Sequence, residues 1–194
     1  MLIALIGKSG AGKSTMQGRL AVNRFAKVVS YTTRQPKEGE IQGIDYHFIS
    51  EEEFEKLYGQ GFFVTDTEIY GNRYGVAKKD IAGNKVVVVE KNGLMQLKKL
   101  KNIELISFYL DVPVCTRVER LYKRGDRLSK IFRRIHDDYF EFDGIEKIVD
   151  HTVNNESRYN GYLTIIDIIK KFRQKKRLKK SFKLIKSDDL MPNI

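Results

Sequence analysis

Nine residues near the start of the chain, Gly7-Lys8-Ser9-Gly10-Ala11-Gly12-Lys13-Ser14-Thr15, fit the spacing G-x-x-x-x-G-K-[ST]. The chemistry this spacing serves is the gripping of a polyphosphate. Glycines let backbone N–H groups come up to the anion, a lysine spans the outer phosphates, and a hydroxyl meets the accompanying metal ion. The expected ATP site is therefore Ser9, Gly10, Ala11, Gly12, Lys13, Ser14 and Thr15, with Lys13 across the β- and γ-phosphates and Ser14 on Mg²⁺. Such a loop holds only a donor. Moving the phosphoryl group needs an acceptor in line with it and neutralisation of the charge that develops. Ser30, Arg34 and Tyr46 offer one guanidinium fork and two hydroxyls for a second phosphate. His47, His136 and His151 lack metal-ligand spacing and read as structural or exposed, and no Ser-His-Asp or Cys-His arrangement stands out.

These groups need a scaffold. Leu2 to Ile6 is a short apolar run that reads as a buried parallel strand, and Ser14 to Val22 reads as a helix. The glycine loop thus lies where a strand feeds a helix N-terminus, whose free N–H groups and dipole favour an anion. Further strands are expected at Lys27–Ser30, Val86–Val89, Glu104–Leu110 and Thr152–Asn154. Tyr31 to Ser50 reads as short strands and loops. Helices are expected at Glu51–Gly59, capped by Ser50, and at Lys78–Ala82, Pro113–Arg124, Lys130–Phe142 and Asn160–Phe172. Alternating strands and helices imply a parallel sheet covered on both faces.

At 194 residues the chain suits one domain that buries roughly 70% of its unfolded surface. A single cysteine, Cys115, excludes an internal disulfide framework and a CxxC metal site, so a reducing cytoplasm is the expected setting and a small buried hydrophobe the expected role. Met1 to Ile6 is too short and uncharged for a leader, and no stretch approaches twenty apolar residues. The net charge of +11 is concentrated in Lys170–Lys186, which holds ten basic residues and no acid; the remainder carries 26 basic against 25 acidic residues. Leu178, Phe182 and Ile185 fall at i, i+4, i+7 of a possible helix there. Two readings stand for this extension: a solvated segment docking on the body or a second copy, and a contact with nucleic acid or an anionic surface. In either case it is expected to be dispensable for catalysis.

The stretch V-S-Y-T-T-R-Q-P-K-E-G-E-I-Q-G-I-D-Y-H-F-I-S, Val29 to Ser50, resembles the nucleotide-monophosphate lobe of guanylate kinases. With the phosphate loop, Y-G-N-R-Y-G at Tyr70–Gly75, Arg124-Gly125 and V-N-N at Val153–Asn155, the resemblance runs in family order to about Phe172. It implies an α/β fold of the P-loop NTPase type: a five-stranded parallel sheet flanked by helices, with an inserted NMP-binding lobe at 30–79 and a lid near 124–136. The core would take 1–29 and 80–173, and 174–194 would be a basic extension. It also implies Mg·ATP-dependent phosphorylation of GMP or dGMP.

By this resemblance Ser30, Arg34, Tyr46 and Tyr74 bind the acceptor phosphate, with Lys37 standing where the family has a second arginine. Arg124, Arg133 and Arg134 belong to the lid, with Arg124 and Arg134 the expected catalytic pair beside Lys13 and Arg34. Asn154 would lie near the adenine of ATP. Thr65 and Val76 occupy the positions of the guanine-reading glutamate and its hydroxyl partner, and Glu90 that of an aspartate. Threonine does not replace a carboxylate that accepts N1–H and N2–H together, a loss of ~1.5–3 kcal/mol. Asp66 or Glu68 would compensate if the local loop shifted. Val88 stands where a further aspartate is usual, so Mg²⁺ would keep several waters. The alternatives are the same chemistry on another purine or modified nucleotide, a non-catalytic guanylate kinase-like binding module, and a phosphate-loop ATPase or nucleic-acid kinase. Monomer and homodimer both stay open.

Overall fold

The computed structural model describes residues 1–188, with side chains described through Leu178. In chain order the elements are β1 (Leu2–Ile6), α1 (Lys13–Val22), β2 (Ala26–Lys27), β3 (Tyr31–Thr32), β4 (His47–Phe48), α2 (Glu51–Gly59), β5 (Phe63–Ile69), β6 (Asn72–Ala77), β7 (Lys85–Val88), α3 (Lys91–Lys98), β8 (Leu105–Asp111), α4 (Val114–Lys123), α5 (Leu128–Glu141), β9 (His151–Asn154) and α6 (Arg158–Asp188). The main sheet has the order β2-β7-β1-β8-β9 and every pair in it is parallel. This is the five-stranded parallel sheet flanked by helices that the alternation of strands and helices implies.

β1 lies at the centre and is buried along its whole length. Because side chains alternate across a strand, Ile3 and Leu5 face one layer while Leu2, Ala4 and Ile6 face the other. The first layer packs with Met16 and Leu20 of α1 and Ile165 and Ile169 of α6. The second packs with Leu94 and Leu97 of α3 and with Phe142 and Ile145. The glycine loop emerges from the carboxyl end of this central strand, the end where parallel α/β sheets open a crevice.

The stretch from 31 to 77 forms a second sheet of order β4-β3-β6-β5. β5 and β6 make an antiparallel hairpin turning at Tyr70-Gly71, and β3 joins it through Tyr31↔Gly75 and Thr32↔Tyr74. α2 is capped as its sequence implies, the Ser50 hydroxyl accepting the Glu53 N–H at 3.1 Å.

Several features differ from the sequence reading: the helix expected at Lys78–Ala82 is a single 3₁₀ turn, Lys78–Ile81, and the strand expected at Lys27–Ser30 is only Ala26–Lys27. Cys115 is exposed, because Arg117 and Leu121 occupy the inward face of α4 and Cys115 lies off it. α6 does not end near Phe172 but continues to Asp188, so the basic stretch extends the last core helix. Phe172 packs on the core, Lys176 pairs with Glu104 at 2.6 Å, and Leu178 is exposed. The stripe positions Phe182 and Ile185 lie outside the described side chains. An exposed ion pair contributes about 1 kcal/mol or less. Truncation after Phe172 is therefore expected to lower stability by about that amount and leave a cooperative transition, measured by urea unfolding of both forms.

Candidate active site

The loop between β1 and α1 turns through Gly10 and Gly12 at φ +79° and +91°, left-handed backbone that side chains disfavour. A Cβ on Gly10 would also lie 2.8 Å from the Arg117 carbonyl. The loop's carbonyls point away from the cleft and are met from behind. Arg117 donates to the Ser9 carbonyl at 3.2 Å, Arg120 to that of Gly10 at 3.3 Å, and the Asn155 amide to that of Ala11 at 2.7 Å. The Lys13 ammonium donates to the Gly7 carbonyl and lies 3.6 Å from Glu90.

In front of the loop is a cleft of about 480 Å³, with nine basic and five acidic side chains in its wall, a balance suited to polyanionic ligands. Across it from Lys13 stand Arg34, Lys37, Arg124 and Arg134. Arg34 donates to both Glu40 oxygens, at 3.0 and 2.8 Å, and its guanidinium lies 5.4 Å from the Tyr46 ring centre. Glu40 also accepts the Lys37 N–H at 2.8 Å. Asp126 accepts from Arg124 and lies 3.9 Å from Arg134. Burial, then repulsion from Arg124, Arg134 and Arg34, pulls the Lys37 ammonium down to about 8. Burial pushes the Tyr46 phenol up to about 12, so it stays a neutral donor. Ser30 and Tyr74 complete this wall.

The wall continues through Thr65, Val76, Val89, Glu90 and Gly93, with Glu90 reaching to within 3.6 Å of the Lys13 ammonium. Thr65 is buried and its hydroxyl accepts the Val76 N–H at 3.2 Å, so its oxygen already has a backbone partner. Asp66 and Glu68 do not line the cleft; Asp66 instead accepts from Arg73 at 2.7 Å. Their compensating role is thereby corrected: on β5 they alternate with Thr65 and Thr67 and face the other way. Asn154 also lies outside the cleft wall, its side chain accepting the Glu156 N–H at 2.9 Å. Arg133 is exposed, its guanidinium 5.9 Å from the Tyr70 ring centre.

Several groups escape a reading of the sequence. Asp138 on α5 accepts the Ser9 N–H at 2.9 Å and pairs with Arg117 at 2.9 Å, both side chains being almost wholly buried. The Ser9 N–H, expected to face an anion, is thus taken by a carboxylate that Arg117 fixes in place. Burial raises the Asp138 carboxyl's pKa, opposed by the Ser9 N–H, Lys13 and Arg117. The available signal was periodicity: Arg117 shares a face with Leu121, and Asp138 with Ile131, so each charge sits on an inward face. Glu40 lies within the stretch that carries the resemblance, but the resemblance implies no role for it, and Glu141 lies in none of the quoted motifs.

The guanylate kinase family model matches residues 1–171. A guanylate kinase of Nitratidesulfovibrio vulgaris is 46% identical over 71 residues, a match that spans 36% of this chain and about a third (34%) of that relative. A guanylate kinase of Wolbachia pipientis is 30% identical over 186 residues, covering 91% of this chain and 92% of the relative. The crystal structure of guanylate kinase from Anaplasma phagocytophilum superposes with a TM-score of 0.67 at 24% identity, covering 88% of this chain and 84% of that one, a likeness of fold.

The Arg117–Asp138 pair yields a stability prediction. Removing one partner strands a buried charge and costs about 3–5 kcal/mol, whereas removing both does not. Asp138→Asn is expected to lose about 3 kcal/mol in urea unfolding, and Arg117→Met combined with Asp138→Asn to recover a substantial part of it.

Proposed function

The chain belongs to the guanylate kinase family, and we propose that it transfers the γ-phosphoryl group of ATP to a guanine nucleoside monophosphate, GMP or dGMP. The observation that carries this reading is the facing of two cation sets across one cleft: Lys13 in the glycine loop, and Arg34, Lys37, Arg124 and Arg134 opposite. A site for one nucleotide needs only the first set. The second suits another phosphate, placed so that its oxygen attacks the γ-phosphorus in line with the departing bridge oxygen.

In this reading the backbone N–H groups of Gly10 to Thr15 cradle the β-phosphate, and Lys13 spans the β- and γ-phosphates. Ser9 shapes the loop through Asp138 and does not give its N–H to the donor. Ser30, Tyr46, Tyr74, Arg34 and Lys37 hold the acceptor phosphate. Arg124 and Arg134 face the transferring group, where charge spreads over its equatorial oxygens. As the bond from the γ-phosphorus to the bridge oxygen breaks, negative charge grows on that oxygen and the loop N–H groups and Lys13 meet it. Thr65 contributes to the base end only as wall, and Glu90 supplies a carboxylate there. Asn154 can approach the adenine only from outside the cleft wall.

Ser14 is exposed on the cleft and offers a hard oxygen ligand of the kind Mg²⁺ takes. Among the described residues no group of three acidic, histidine or cysteine side chains is placed to hold a metal. The donor set therefore fits an ion completed by ATP oxygens and water, which would neutralise phosphate charge. The segments 30–79 and 124–136 are the parts whose closing would exclude water from the γ-phosphate. Among the described residues no helix is long and apolar enough to cross a membrane.

Two predictions follow from the cleft. ADP formation from Mg·ATP is expected with GMP or dGMP in a panel of nucleoside monophosphates, and loss of it by at least a hundredfold in Lys13→Ala; turnover that survives this change would remove the donor assignment. Lys37 loses its proton as pH rises through about 8, so one acceptor-phosphate contact weakens above that value. The kcat/KM for GMP is expected to fall between pH 8 and 9.5 in the parent chain and to stay level in Lys37→Arg, whose guanidinium remains charged.

A further inference from the structure

Glu141, the last residue of α5, faces into the cleft. It is half-buried, and among the described residues no hydrogen bond or ion pair reaches its carboxylate. A half-buried carboxylate with no protein partner is free to accept hydrogen bonds from a ligand in the cleft. Its surroundings locate it. Glu90 and Lys91 at the start of α3, Lys13 in the loop, Asp138 on its own helix and Tyr70 at the β5–β6 turn all act on it or are acted on by it. The Lys91 ammonium donates to the Asp143 carbonyl at 2.7 Å, joining the end of α5 to the start of α3. α3 in turn abuts β5, where a Cβ added to Gly93 would lie 3.7 Å from the Thr67 methyl. The end of α5, and Glu141 with it, thus lies against the start of α3, where Glu90, a second carboxylate of the cleft, stands 3.6 Å from the Lys13 ammonium.

The other polar position on that wall offers no anionic acceptor. The Thr65 hydroxyl accepts the Val76 N–H, and Val76 is itself apolar. Guanine presents two neighbouring donors, N1–H and N2–H, that call for anionic acceptors. We infer that Glu141 acts with Glu90 to read the N–H edge of the acceptor's guanine, making Glu141 a specificity residue and taking the part that Thr65 does not play. This rests on the proposed phosphorylation of GMP and adds to it the group that tells guanine from a purine lacking the 2-amino donor. Adenine, with an acceptor at N1, is opposed by the same carboxylates.

Burial, then the negative charges of Glu90 and Asp138, pushes the Glu141 carboxyl up to about 7, with Lys13 and Lys91 opposing. The charged acceptor is therefore lost as pH falls through about 7 and present above it. Because kcat/KM reports the free enzyme, discrimination for guanine should grow with pH in that window.

The test compares GMP with IMP, which carries the same phosphate and sugar but no 2-amino group, in the parent chain, Glu141→Gln and Glu141→Ala. The kcat/KM ratio of GMP to IMP is expected to fall about tenfold or more in each variant, the range for a lost charged hydrogen bond. That ratio should rise from pH 6 to 8 in the parent chain and stay level in Glu141→Gln. Since Glu141 has no partner to lose, the melting midpoint of Glu141→Gln should be unchanged or higher. A ratio that is unmoved by both substitutions while GMP is still phosphorylated overturns the inference and leaves the function standing. A ratio that falls together with a lower melting midpoint assigns Glu141 a structural role and also overturns it. Absence of Lys13-dependent GMP turnover in the parent chain overturns the function, and the inference with it.

Discussion

A loop that turns its N–H groups toward an anion must turn its carbonyls the other way, and those carbonyls need donors. This requirement organises the molecule around Gly7 to Thr15. Behind the loop the donors are Arg117 and Arg120 from α4 and Asn155 from the turn after β9. Arg120 also donates to the carbonyls of Asn155 and Glu156, at 3.0 and 2.7 Å, so the two supports brace one another. Central strand, edge strand and the helix leading to the lid are thereby fixed relative to the same few peptide units. The glycines matter for the same reason: a side chain at Gly10 would press on the backbone of α4 that supplies one of these donors.

The cleft in front of the loop poses the opposite problem, an excess of basic over acidic side chains. Glu40 and Asp126 moderate it, each shared between two cationic residues. Burial first, and then the neighbouring guanidinium groups, still lower the pKa of the Lys37 ammonium against the opposing charge of Glu40. Two anionic phosphates would supply the missing charge. On the proposed function, phosphate oxygens would take over the contacts that Glu40 and Asp126 make here. This is how electrostatic preorganisation is expected to look in a phosphoryl-transfer site before it is filled.

The parts legible in the sequence were those whose physics is local. The loop, its preceding strand and its following helix are encoded by glycine spacing beside an apolar run, and α2 by Ser50 followed by three acids. α3 was illegible because Gly93 interrupts it and Glu90 makes no capping bond; packing of Leu94 and Leu97 on the sheet sustains it. The β5–β6 hairpin carries charged residues along its exposed face, and pairing with β3 stabilises it from a distance in sequence. At the site, Lys13, Arg34, Arg124 and Arg134 could be located from motif and resemblance. Arg117, Asp138 and Glu141 could not, since each draws its meaning from a neighbour far along the chain, and Glu40 could not because its partners Arg34 and Lys37 are near in sequence but joined to it only by the fold of a loop.

α5 shows why these long-range relations matter to the chemistry. Its inward face carries Ile131, Arg134, Asp138 and Glu141, spaced by three or four residues so that all point to one side. Ile131 is buried in the core, Arg134 lies 3.9 Å from Asp126, Asp138 grips the glycine loop, and Glu141 lines the cleft. One helix therefore joins the cation cluster around Asp126, the glycine loop and the start of α3. Asp138 fixes its height through Arg117 and Ser9, two contacts that leave it little freedom to slide. A displacement of α5 cannot alter one of these regions alone. If the proposed roles hold, recognition of the base and neutralisation of the transferring charge are linked through this helix, and a misplaced acceptor base would be expected to disturb Arg134 as well as Glu141.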